Sequence, residues 1–313
     1  MSGFSLEGKR VWVAGHRGMV GSAVFRRLDS EPVGDLVTAT SDELDLRNQD
    51  ATHAFVADTR PDVIVLAAAK VGGIHANRSA QGEFLYDNMM IGANVLEAAR
   101  LNGVERLVNL GSSCIYPRDA SQPMAEDALL TGPLEATNEG YAIAKIATLE
   151  LAKMYRRQYG MKTISLIPTN LYGPNDSFDL ETSHVVPALL RKIHEAKSNE
   201  EPTVTIWGTG TPRREFLHVV DLADATLFAI EHYGGDEHLN VGTGSDVAIN
   251  ELVDLIAKIV GYDGDFVYDT DMPDGTPRKL LDVSKLAGLG WSASIGLERG
   301  IAETYDWYLH NAT

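Results

Sequence analysis

The chain has 313 residues, is 44% hydrophobic and 23% charged, and carries a formal net charge of −17. That length buries one large domain or two, and the acidic balance excludes nonspecific binding to nucleic acid or to anionic membranes. No apolar run is long enough to span a bilayer, residues 1–10 lack a signal-peptide core, and the one cysteine, Cys114, allows no intrachain disulfide, which together predict a soluble protein of a reducing cytoplasm.

Residues 10–14 are a short apolar run that reads as a buried first strand. Gly15, Gly18 and Gly21 follow, in a turn that also holds His16, Arg17, Met19 and Val20, and a helical stretch continues through Leu28. Strand, glycine turn and helix is the context that a dinucleotide-binding turn needs. Glycine lets the backbone approach a pyrophosphate, and the helix N-terminus presents unpaired N–H groups to it. Residues 35–40 read as a second strand, Asp45 and Leu46 as part of a short third one near an adenine site, and 63–69 as a strand covered on both faces. A helix is expected over 84–101 with Met89, Ala93, Leu96 and Ala99 inward, then a strand over 106–110 that ends in Gly111-Ser112-Ser113-Cys114. Three prolines mark residues 117–137 as a loop.

The next helix begins at Asn138, a plausible N-cap, with Glu139 at the positive end of the dipole. Ile143, Ala147, Leu151 and Met154 make an apolar stripe along it. Tyr141 and Lys145 stand one turn apart on a shared face. A free phenol has a pKa of about 10, and a fixed cation beside it favours the phenolate, which is a physical reason to pair these two groups. A strand over 163–167 leads into Pro168-Thr169-Asn170-Leu171. Beyond Gly173 come a helix over 184–196, a strand over 201–207, a turn at 208–212 and the pair Arg213-Arg214. A helix over 221–233, a strand over 239–242, a helix over 249–260 and a basic, turn-rich loop over 273–279 complete the reading.

Strands alternating with helices predict an α/β protein: a Rossmann-type doubly wound parallel sheet with a smaller C-terminal α/β substrate domain. The expected division is 1–174, with 217–245 returning to it, against 175–216 and 246–313. Ligands of such sheets lie beyond the carboxyl ends of the strands, where Gly15, Ala69, Ser112 and Asn170 all fall.

The glycine turn, Ser112 after a mid-chain strand and the Tyr141/Lys145 pair together resemble the extended short-chain dehydrogenase/reductases that act on nucleotide sugars. Longer stretches narrow the resemblance. Residues 14–21, 67–74, 111–117, 141–145, 168–174, 207–212 and 273–279 are similar to the GDP-L-fucose synthase family. That resemblance implies an oxidoreductase with isomerase activity, a homodimer that takes GDP-4-keto-6-deoxy-D-mannose and NADPH to GDP-L-fucose. It implies Ser112 and Tyr141 on the reacting oxygen, Lys145 on the nicotinamide ribose, and Cys114 and His184 as base and acid for inversion at C3 and C5. It implies a cofactor site of the whole glycine turn, Ser41, Asp45, Leu46, Ala67, Leu110, Gly111, Ser112, Ser113, Lys145, Pro168, Asn170, Leu171 and His184. For the GDP end it points to Arg214 on phosphate and Trp207 at the nucleotide, with Lys192, Asp274 and Lys279 as further contacts; no metal is implied. Residues 38–42 hold no basic side chain where relatives carry arginine, so NADH is expected to be used appreciably beside NADPH. A 4-epimerase or simple 4-ketoreductase on the same scaffold, or a cofactor-sensing protein without turnover, would share much of this pattern.

Overall fold

The computed structural model describes residues 3–180, 183–272 and 274–312, with the backbone alone at residues 74 and 75. Pro273 of the expected basic loop lies outside them.

The first half runs β1 (Arg10–Ala14), α1 (Met19–Asp29), β2 (Asp35–Val37), α2 (Gln49–Thr59), β3 (Val63–Leu66), α3 (Ile74–Ser79), α4 (Gln81–Leu101), β4 (Arg106–Leu110), α5 (Glu139–Tyr159) and β5 (Thr163–Pro168). The second half runs β6 (Asn170–Tyr172), α6 (Val185–Ser198), β7 (Thr203–Trp207), β8 (Arg213–Arg214), β9 (Phe216–His218), α7 (Val219–His232), β10 (Leu239–Val241), β11 (Val247–Ala248), α8 (Ile249–Val260), β12 (Asp265–Asp269), β13 (Arg278–Lys279), α9 (Ser284–Gly288) and α10 (Leu297–Asn311). A six-stranded sheet in the order β10-β5-β4-β3-β1-β2 forms the centre, and every pairing in it is parallel.

Alternation along the strands divides the core between the two faces of this sheet. Val11 and Val13 of β1 pack with Val24 of α1 and with Leu222 and Ile230 of α7. Trp12 and Ala14 pack on the other face with Val56 of α2, Leu96 of α4 and Ala152 of α5. A separate core joins Tyr172, Leu190, Ile206, Leu252, Ile256 and Ile301 under the smaller strands. Burial on this scale, at roughly 25 cal/mol per Å² of apolar surface, holds the strand ends in fixed relation.

The structure corrects several sequence expectations. Asp45 and Leu46 are not a strand; the Asp45 carboxylate folds back onto Arg47 at 2.9 Å, and the Leu46 carbonyl accepts from Asn94. The second strand stops at Val37. Met89 is 39% exposed rather than inward, and the Ile143/Met154 stripe of α5 faces solvent, at 41% and 43% exposure. The inner face of α5 is built instead from Ala142, Ala144, Lys145, Thr148, Leu149 and Ala152. On α4 Leu96 and Ala99 are buried as expected, whereas on α5 the apolar period marks the outer surface, and small or polar residues mark the inner one because the two helices pack closely. Asn138 is the N-cap residue, but its side chain makes no capping bond. α10 went unread because its buried positions include Gly300 and Thr304 beside Ile301 and Tyr308, which blurs the apolar period.

Candidate functional site

β1 delivers its glycine turn under tight steric limits. Gly15 has φ +90°, and a Cβ there would stand 2.6 Å from the Ala68 nitrogen. A Cβ on Gly21 would stand 2.0 Å from the Gly15 carbonyl oxygen, so the turn closes directly on α1. α1 opens at Gly18 with no side-chain cap, which leaves its first N–H groups for a ligand. A dinucleotide pyrophosphate fits this cradle, and Ala67, beyond β3, donates its amide to the Ala14 carbonyl beside it at 3.0 Å. Arg17 and Ser41 are exposed at the rim. One participant was not foreseen: Glu43 accepts from the Thr40 amide and hydroxyl at 2.8 and 2.9 Å, which hold its carboxyl low, and it faces Arg17 and His16.

The end of β4 and the inner face of α5 meet over the middle of the sheet. Ser112 caps a 3-10 turn at Ser113–Ile115, accepting from the Cys114 amide at 3.4 Å. Gly111 and Ser113 are buried, and the Gly111 amide donates to Leu166 of β5 at 2.8 Å. Lys145 donates to the Leu110 carbonyl at 2.9 Å, which pins α5 to the strand end, and its ammonium lies 5.7 Å from the centre of the Tyr141 ring. The Tyr141 ring also packs edge-on against Phe84 of α4 at 6.4 Å.

Burial dominates the titration of this cluster. It pushes the Cys114 thiol up, against the Ser112 hydroxyl and the Lys279 and Lys145 ammoniums, which favour the thiolate. It drives the Tyr141 phenol far up, only partly offset by Ser112. It brings Lys145 down to about 8. The expectation that Lys145 lowers the phenol is not met, because desolvation of the buried phenolate dominates. Ser112 is the group that favours the phenolate here.

Pro168, Asn170 and Leu171 sit beyond β5. The Asn170 side chain donates to the Glu215 carbonyl at 2.8 Å, while Pro168 and Leu171 are packed in place. His184 stands at the N-cap of α6 on an exposed stretch of chain, and desolvation by the protein around its ring lowers its pKa.

The GDP-end candidates fall into one strip. Trp207 ends β7 and is 58% exposed, which removes core packing as its reason to be there. Lys192 of α6 lies over its ring at 4.7 Å. Arg214 and Lys279 are register partners in the parallel pair β8–β13. Their chain neighbours Arg213 and Arg278 both pair with Asp246, whereas Arg214 and Lys279 make no ion pair among the described residues. Each adjacent basic pair thus splits into one structural and one available cation, a distinction that needed Asp246 to be seen. Asp274 accepts from the Thr209 amide at 2.7 Å and its hydroxyl at 2.9 Å, so its side chain shapes the 208–211 turn.

A doubly wound sheet that carries a glycine turn at one strand end and a Ser/Tyr/Lys set at another is built as the extended short-chain dehydrogenase/reductases are. The family model described as the NAD dependent epimerase/dehydratase family matches residues 11–242, and the chain belongs to that family. Within it the chain belongs with the GDP-L-fucose synthases. It is 54% identical to the GDP-L-fucose synthase of Escherichia coli K12 over 97% of each chain, and 54% identical to the putative GDP-L-fucose synthase 2 of Arabidopsis thaliana over 96% of this chain and 92% of that one. Among solved structures, a GDP-L-fucose synthetase from Naegleria fowleri bound to NADP superposes with a TM-score of 0.91 at 28% identity, covering 99% of this chain and 97% of that one.

Proposed function

We propose that this chain converts GDP-4-keto-6-deoxy-D-mannose to GDP-L-fucose, inverting C3 and C5 and then reducing the C4 ketone with NADPH. The observation that carries this reading is the position of the one cysteine: Cys114 lies a single turn from Ser112 and within the electrostatic reach of Tyr141, Lys145 and Lys279. Both inverted carbons flank the ketone, which acidifies their protons, and inversion needs a base on one face and an acid on the other. Cys114 takes the proton, and the C–H electron pair moves into an enolate on the C4 oxygen. Ser112 and Tyr141 hydrogen-bond that oxygen as charge develops on it. His184 returns a proton on the opposite face. When bound, NADPH would supply hydride to C4; Tyr141 gives the proton to the oxygen, and Lys145 would hold the nicotinamide ribose. Arg214 grips the diphosphate, with Trp207 and Lys192 walling the nucleotide end.

The test is to incubate the protein with GDP-4-keto-6-deoxy-D-mannose and NADPH, then identify the sugar and count cofactor consumed. GDP-L-fucose with NADPH used stoichiometrically is expected. A D-series 6-deoxy sugar would leave a simple 4-ketoreductase; turnover without net cofactor loss would leave a 4-epimerase, which recycles its cofactor and needs neither Cys114 nor His184.

Cofactor choice follows from the rim of the glycine turn. Arg17 is the cation available to the 2′-phosphate, Ser41 adds a neutral hydrogen bond, and the Glu43 carboxylate, which takes both Thr40 donors, opposes it. A hydrogen bond to a charged group is worth roughly 1.5–3 kcal/mol, about ten- to a hundredfold. NADPH should therefore be preferred with NADH used appreciably. Arg17→Ala should cost kcat/KM for NADPH by that factor and leave NADH nearly unchanged, and Glu43→Gln should raise the NADPH/NADH ratio. A thousandfold preference surviving in Arg17→Ala would move the phosphate site elsewhere.

The same reading makes the protein a homodimer of the reducing cytoplasm. Tyr86 and Met89 of α4 and Ile143 and Met154 of α5 are exposed apolar side chains, which supports a helix-to-helix dimer contact. Among the described residues no helix is long and apolar enough to cross a membrane. It also divides the chain into a cofactor domain of 1–174 with 217–245 and a GDP-sugar domain of 175–216 with 246–313.

A further inference from the structure

We infer that Lys279 serves the cysteine rather than the diphosphate: it is the positioning cation that keeps Cys114 ready as a base. This rests on the reading of Cys114 as that base.

The strand that carries Lys279 is tied to the loop that follows the Cys114 turn. The Met124 amide donates to the Leu280 carbonyl at 2.8 Å, the Asp282 amide to the Met124 carbonyl at 2.8 Å, and the Leu280 amide to the Gln122 side chain at 2.9 Å. Glu215, fully buried, accepts from the Leu281 amide at 3.0 Å and from the Thr243 and Gly244 amides at 2.7 Å, which fixes the strand from its other side. Leu281 packs against Ile115 and Tyr116, the two residues after Cys114. In extended chain, residues two apart share a face. Lys279 therefore projects on the side that Leu281 uses to reach the Cys114 turn.

Its surroundings agree. The Lys279 side chain makes no hydrogen bond or ion pair among the described residues, although it is mostly withdrawn from solvent. An unpaired cation held out of water is costly and needs an anion nearby. The charged and titratable groups that face it are Cys114, Arg214 and Glu135; those that face Cys114 are Lys279, Lys145 and, from α5, Tyr141. Burial lowers Lys279, and Cys114 is the largest influence that raises it again; the thiol is in turn favoured as thiolate by Lys279 ahead of Lys145. Lys145 is held by its bond to the Leu110 carbonyl, whereas the Lys279 ammonium has no such partner among the described residues.

Because the chain holds a single cysteine, its ionisation is directly readable. Thiolate absorbance would be titrated in the full-length protein, in Lys279→Met and in Lys279→Arg, each against Cys114→Ala as the blank. Solvent deuterium incorporation at C3 and C5 of the GDP sugar would be measured beside it. Lys279→Met should raise the thiol pKa by about one unit, so that the thiolate fraction near neutrality falls about tenfold. Deuterium incorporation should fall by the same factor and recover as pH rises, while Lys279→Arg keeps most of both. If Lys279→Met does not fold, Lys279→Gln replaces it. An unshifted thiol with a raised KM for the GDP sugar overturns the inference and returns Lys279 to the diphosphate. A shifted thiol with undiminished deuterium incorporation overturns Cys114 as the base, and the role of Lys279 with it.

Discussion

Tyr141→Phe is expected to lower kcat for reduction by at least about a hundredfold, the lower range for loss of a general acid. The substitution removes one oxygen and little else. The ring keeps its edge-on contact with Phe84, and the Lys145 bond to Leu110 does not depend on the phenol. Cofactor affinity should therefore stay close to the parent's, and stability should change little. Burial keeps the phenol protonated, so the proton it gives is present, and Lys145 near 8 sets an upper bound on pH. Above about pH 8 the ammonium is lost, so reduction by the parent enzyme should decline as pH rises through that value. The measurements are steady-state NADPH oxidation against pH and cofactor binding by fluorescence. Near-normal turnover in Tyr141→Phe would sink the assigned role.

Cys114→Ser should separate the two activities. A serine hydroxyl is a far weaker base than a thiolate, so proton exchange at C3 and C5 should fall by at least about a hundredfold. Reduction uses Ser112, Tyr141 and Lys145, so it should continue on the uninverted ketone and release a GDP-6-deoxy sugar of the D series. The parent's pH profile should carry the same signature. Burial raises the thiol and lowers His184, so the active pair of thiolate and imidazolium is a minority at every pH. Thiolate grows as pH rises and imidazolium as it falls, which gives a bell with its maximum between the two pKa values. Deuterium incorporation against pH, in the parent and in Cys114→Ser, reads both effects. Undiminished incorporation in the variant would remove Cys114 from the mechanism.

How much of this was legible in the chain depends on how far each feature reaches. The glycine turn, the strand run at Val63–Leu66 and the Tyr141/Lys145 spacing are set by neighbours a few residues away, through backbone sterics and periodicity. Those were readable from residue order alone, and so was the family, because long motifs kept their order along nearly the whole chain. The sequence also determined that α5 would carry an apolar stripe.

Tertiary structure decided which way that stripe faces. Close packing of α5 on α4 turned Ile143 and Met154 outward and drew Lys145 in against Leu110. It decided which cation of each basic pair is free, because Asp246, remote in sequence, takes Arg213 and Arg278 and leaves Arg214 and Lys279. It brought Glu43 within the electrostatic reach of Arg17, and Cys114 within that of Lys279. It also reversed the sign expected for the Tyr141 phenol, since desolvation comes from every element packed around a group, and no spacing between two residues encodes it.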